Sequence, residues 1–92
     1  MAIVVKRQGR QELFDERKLY ASIYAACTSA NFGEKKCEKV AENICKKVIK
    51  FMSRKKKISS IDLRKKVEAE LKKIDAELAF FYEQHLPNLK EL

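Results

Sequence analysis

MAIVVKRQGRQELFDERKL, residues 1–19, decides the fold of this 92-residue chain. The apolar run Ile3-Val4-Val5 meets the cationic pair Lys6-Arg7, Gln8-Gly9 makes a turn, and a second short strand follows from Gln11 to Phe14. Asp15 then opens a helix with Lys18 in its first turn. Gly9 supplies the positive φ that a tight hairpin turn needs. With a two-residue loop at Gln8-Gly9, Arg7 stands opposite Arg10, and like charges directly opposite destabilise a strand pair. The hairpin therefore concentrates positive charge, which a polyanion near its tip would relieve.

Working outward, residues 2–7 and 11–14 read as the two strands, and Asp15 as the N-cap of a first helix over 16–30 with the apolar stripe Leu19, Ile23, Ala26, Cys27, Ala30. Asn31-Phe32-Gly33 stops it, Gly33 being suited to a left-handed C-terminal position. A second helix runs from Glu34 to Met52, where Cys37, Val40, Ala41, Ile44, Cys45, Val48, Phe51 and Met52 recur at spacings of three and four. Arg54-Lys55-Lys56-Lys57 is an exposed connection, and Ile58 can add a short third strand. Ser59 or Ser60 caps a third helix over 60–73, buried through Ile61, Val67, Leu71 and Ile74, with Asp62 in its first turn. A fourth, over 75–86, carries Leu78, Ala79, Phe81 and Tyr82, and Pro87 ends it. Four amphipathic helices are more than a hairpin can shield, so they must pack mainly on one another. The expected fold is α+β and mainly α: a four-helix bundle covered by a small three-stranded sheet that contains the N-terminal β-hairpin. Residues 1–87 form one domain, and 88–92 are a tail or the start of a linker.

Composition narrows the function classes. A chain of this length buries only about 60–65% of its unfolded surface, which allows one compact core. Twenty-one basic against 13 acidic side chains give a net charge of +8, which calls for an anionic partner or serves solubility. Abundant Lys and Glu also suit a heat-adapted source. The three cysteines, Cys27, Cys37 and Cys45, are odd in number and form no Cys-x-x-Cys, and no signal peptide is legible. They read as reduced packing thiols in a cytoplasmic protein, not as metal ligands. No apolar run approaches the ~20 residues of a membrane span.

A nucleotide site needs cations and free amides for phosphate, and a flat apolar slot with polar edge groups for a base. Lys6, Arg7 and Arg10 can meet phosphates. Glu12 can accept from an adenine amino group, Asp15 can hold a ribose hydroxyl or the base edge, and Val4, Leu19 and Leu63 can wall the base. These same residues carry a family resemblance. Lys6-Arg7, Gly9-Arg10, Glu12, Phe14-Asp15 and Lys18-Leu19 resemble the opening of the ATP-cone, a nucleotide-binding regulatory domain of ribonucleotide reductases and of the bacterial repressor of their genes. Ile58-Ser59-Ser60 with Asp62-Leu63 resembles the start of that family's third helix, and Ala79 to Tyr82 its last helix. The resemblance implies the bundle-and-sheet fold described above. It implies ATP or dATP as competing ligands, with or without Mg2+, and control of the assembly or activity of an attached or partner protein, or of a homo-oligomer. It assigns nucleotide contact to Lys6, Arg7, Glu12, Asp15, Lys18 and Ser60, and a phosphate-facing position to Arg64. The family's last helix often reads Ala-Tyr-x-Arg. Here Ala79-Phe80-Phe81-Tyr82 puts Tyr82 where the Arg would stand, which removes a phosphate ligand or ion pair and leaves a tyrosine able to touch the ligand.

Each residue also has an ordinary role. Lys6-Arg7 alone is a solvated hairpin end, Glu12 an exposed strand residue, Lys18 a helix-surface lysine, Ser60 a cap. It is the joint spacing that favours the nucleotide. No nucleophile–base pair is evident and the sole histidine, His85, has no partner in sequence, so a binding module is expected and not an enzyme. The alternatives are a helical protein-interaction module and a basic nucleic-acid-binding module. The latter draws on Arg54 to Lys57, Arg64-Lys65-Lys66 and Lys72-Lys73, without any recognised signature and with weak, non-specific binding expected.

Overall fold

A computed structural model describes residues 3–6 and 9–85. It is mainly helical, with a small mixed sheet. In chain order the elements are β1 (Ile3–Val5), β2 (Gln11–Leu13), α1 (Glu16–Ser29), α2 (Glu34–Met52), β3 (Lys57–Ser59), α3 (Ser60–Ile74) and α4 (Ala76–His85). β1 is the central strand, antiparallel to β2 and parallel to β3. The segment at Ile58 therefore does add a third strand, and it does so through a long crossover that contains α1 and α2.

The hairpin corrects the expected register. The Lys6 amide donates to the Arg10 carbonyl at 2.7 Å and the Gly9 amide to the Lys6 carbonyl at 3.1 Å. The loop is thus three residues long, with Gly9 at φ 81°, as three-residue hairpins require at their left-handed position. Lys6, not Arg7, faces Arg10. Arg7 and Gln8 lie outside the described residues, as do Pro87 and the expected tail from Asn88 to Leu92.

α1 packs on α2 and α4, and α3 on α4 and α2. Ile23, Ile44, Val48, Val67, Leu71 and Leu78 are fully buried between them, each contributing about 1.5–3 kcal/mol relative to exposure. α2 occupies the expected residues, because a long apolar stripe leaves little freedom. Asn31 corrects the stop of α1: at φ 65° it takes the left-handed position, and Gly33, at φ −65°, is instead the N-cap of α2. The Asn31 amide reaches the Thr28 carbonyl and the Phe32 amide the Cys27 carbonyl, at 3.0 and 3.1 Å. This is a Schellman ending with Asn in the place Gly more often holds. Two expected core residues are exposed, Ile61 at 46% and Ile74 at 43%, because they lie in the first and last turns of α3, away from the α2 and α4 contacts that cover Val67 and Leu71.

Candidate functional site

Side chains paired across neighbouring strands share a face. Val4 pairs with Glu12 on one side and Ile58 on the other. Val4 and Ile58 are buried against the helices, so Glu12 stands on the core side of the sheet, on edge strand β2. It is not the exposed strand residue of the plainest reading. Lys6, two residues beyond Val4, joins it there: Lys6 Nζ lies 3.2 Å from Glu12 Oε2, with the side chains 24% and 40% exposed. Arg10 approaches the other oxygen, Oε1, at 3.9 Å. The Lys6 hydrogen bond holds the Glu12 carboxyl below the usual range, against the opposing effect of burial and with help from the charges of Lys6, Arg10 and Lys18. Lys6, Arg10, Glu12 and Lys18 thus share one local field.

Asp15 caps α1. Its Oδ1 accepts from the Arg17 amide at 2.9 Å and the Lys18 amide at 3.4 Å, which fixes the helix start that carries Lys18 and the buried Leu19. At the other edge, Val5 pairs with Ser59, and the next residue of each strand is Lys6 and Ser60. The start of α3 is thereby delivered beside the end of β1. Ser59, not Ser60, is the cap, its Oγ accepting from the Asp62 amide at 3.0 Å. That relieves Ser60, buried in the first turn, of the capping role. Leu63 packs half-buried on the core. Arg64 and Tyr82 interact electrostatically across α3 and α4. Burial raises the Tyr82 phenol to about 12, opposed by the Arg64 charge, and burial also lowers the Arg64 guanidinium from its ordinary value.

The structure therefore pairs Lys6 with Glu12 within the field of Lys18, starts α3 at Ser60 directly after the Val5–Ser59 pair, and lets the Arg64 charge be felt at Tyr82. Val4 and Leu19 belong to the core that Leu63 packs against. Arg7 lies outside the described residues. Among the described residues no group of His, Cys, Asp and Glu could hold a metal, and no helix is long and apolar enough to cross a membrane. Burial raises the thiols of Cys27 to about 12 and Cys45 to about 11, so neither is poised as a nucleophile.

Residues 2–84 match the family described as the ATP cone domain. The chain belongs to the ATP-cone family. This ATP-cone domain is also similar to the transcriptional repressor NrdR of Carboxydothermus hydrogenoformans, at 32% identity over 73 residues, or 79% of this chain and 46% of the relative. It thus spans about half the length of that curated relative. The ATP-cone opening of the sequence, Lys6 to Leu19, is the segment that builds the inward-facing charged edge of the sheet and the start of α1.

One residue escaped the sequence reading. Glu70 is only 4% exposed, and its oxygens meet Lys73 at 3.0 Å, Lys47 at 3.7 Å and Lys66 at 3.8 Å. Its signal was present as Lys66-x-x-x-Glu70-x-x-Lys73 on one helix stripe. The third partner, on α2, has no signature in spacing.

Proposed function

We propose that this ATP-cone domain binds ATP or dATP as a regulatory ligand, and that occupancy controls the assembly or activity of an attached or partner protein. One observation carries the reading. A lysine and a glutamate face the core side of a sheet, where packing alone would call for apolar residues, beside the start of a 15-residue helix. Free amides at a helix start attract phosphate, and we assign Lys6, Arg7, Lys18 and Ser60, with Arg64 and Tyr82, to the phosphate contacts. Glu12 accepts from the adenine amino group, Asp15 Oδ2 meets a ribose hydroxyl, and Val4, Leu19 and Leu63 wall the base. Any Mg2+ would enter as the partner of the triphosphate. Lys6 and Glu12 exchange each other for the two ends of the nucleotide.

Residues 1–87 are one folding unit, a helix bundle covered by the sheet. Its role is regulatory and not enzymatic, a reading supported by family membership and by similarity to a repressor. To regulate, the nucleotide must bind one assembly state better than another. Calorimetry and melting with ATP, dATP, GTP and inorganic phosphate test the first step, and sedimentation with and without nucleotide tests the second. ATP should raise the melting temperature by mass action. No heat and no melting shift at millimolar ATP would end the proposal.

A further inference from the structure

The basic charge of this protein is gathered in one place. Residues 46–66 hold ten of the 21 basic side chains and one of the 13 acidic ones, a net of +9 that leaves the rest of the chain at −1. Lys47 and Lys50 on α2, with Arg54 just past its end, recur at spacings of three and four, and so do Lys66, Glu70 and Lys73 on α3. These two stripes lie side by side. Lys47 from α2 and Lys66 and Lys73 from α3 meet on Glu70, and the ammoniums of Lys55 and Lys66 both sit 5.1 Å from the Phe51 ring centre. Lys47, Lys50, Arg54, Lys55, Lys66 and Lys73 thus put six cations on this face, three of them on a single carboxylate. Heat adaptation does not explain this arrangement, because ion-pair networks need acids in comparable number, and residues 46–73 hold only Asp62, Glu68 and Glu70 against twelve basic side chains.

We infer that the α2–α3 face docks the phosphate backbone of nucleic acid, without reading its sequence. From Lys47 to Arg54 the α2 stripe runs about 10 Å at 1.5 Å per residue, a length over which a duplex presents about six phosphates. Lysine dominates the face, whereas interfaces with proteins are depleted in lysine and enriched in arginine and aromatic side chains. A lipid surface calls for apolar side chains interleaved with the cations and turned outward, and the one aromatic ring here is half-buried beneath two ammoniums. The inference does not depend on nucleotide binding, because Lys6, Glu12 and their neighbours take no part in it.

The test is a salt titration of binding to a short DNA duplex of arbitrary sequence, followed by fluorescence anisotropy, without nucleotide. With five phosphates neutralised net of Glu70, log affinity should fall against log salt with a slope of about −4 to −5. Lys50→Ala/Arg54→Ala should make that slope shallower by about two. Lys35→Ala/Lys39→Ala removes the same charge from the acid-interspersed first half of α2 and should leave the slope nearly unchanged. Melting curves of both variants confirm that each is folded. Equal effects of the two variants would reduce the observation to net charge and overturn the inference. Tighter binding to polyglutamate or to phosphatidylserine vesicles than to the duplex at matched salt would also overturn it, as would no binding to the duplex at low salt.

Discussion

Replacing Glu12 by Gln separates the two tasks that the proposed site gives to one carboxylate. In the ligand-free protein Glu12 holds Lys6 at 3.2 Å, so a phosphate can use Lys6 only once that pair has opened. Both side chains remain partly exposed, and pairs of this kind are worth only a modest amount, about two- to fivefold in an equilibrium constant. Tripolyphosphate, which has no base to engage Glu12, should therefore bind Glu12→Gln about two- to fivefold more tightly than wild type. ATP should bind more weakly, by about tenfold, because a charge-assisted acceptor for its amino group becomes a neutral one. Removing a negative charge favours any nearby anion, so the comparison must be repeated in Lys6→Ala. Whatever part of the tripolyphosphate gain vanishes there belongs to the pair, and the cycle isolates it. Isothermal titration of tripolyphosphate, ATP and GTP against the four proteins gives every number. A tripolyphosphate gain that persists undiminished without Lys6 would refute the exchange while leaving ATP binding intact. Absence of ATP binding to wild type would refute the site itself.

Two further outcomes follow from local geometry. Asn31→Ala should cost about 1–2 kcal/mol in denaturant unfolding, since alanine pays for the left-handed conformation at φ 65°, whereas Asn31→Gly should be close to neutral. Glu70 titrates below its usual value of 4.5, chiefly through its Lys73 hydrogen bond, with burial opposing and Lys66 and Lys47 assisting. The unfolded chain then binds the proton more tightly than the folded one, so this stabilisation is complete above about pH 4.5 and fades as pH falls through the folded value. Glu70→Gln should flatten that acid limb in melting curves taken from pH 3 to 6, and an unchanged limb would show that the carboxylate contributes nothing there.

Elements built on a long period were legible, and details decided by a single contact were not. α2 declares itself because eight apolar positions share one face between Gly33 and Ser53. The hairpin was also plain, but its loop length was not, since Gly9 serves two- and three-residue turns alike and Arg10 can close either. Asn31 and Gly33 both tolerate a left-handed backbone; the choice falls to Phe32, whose amide bonds back to Cys27 while its ring packs on the core. The pairing of Lys6 with Glu12 follows from strand alternation once the register is known. The coupling of Arg64 to Tyr82 crosses two helices, and no spacing rule reaches it.

β1 and β3 are neighbours in the sheet yet lie 54 positions apart in register, Val4 against Ile58. A two-stranded hairpin is barely stable on its own, so the N-terminal segment waits for both long helices to form and turn back before it has a partner. The residues of the proposed site come from the beginning, the middle and the end of the chain, which would make that site a late product of folding. A ligand lodged there has little to grip in the folding transition state. Its stabilisation should therefore emerge as slower unfolding and not as faster folding, and the occupied protein would gain in lifetime more than in speed of formation.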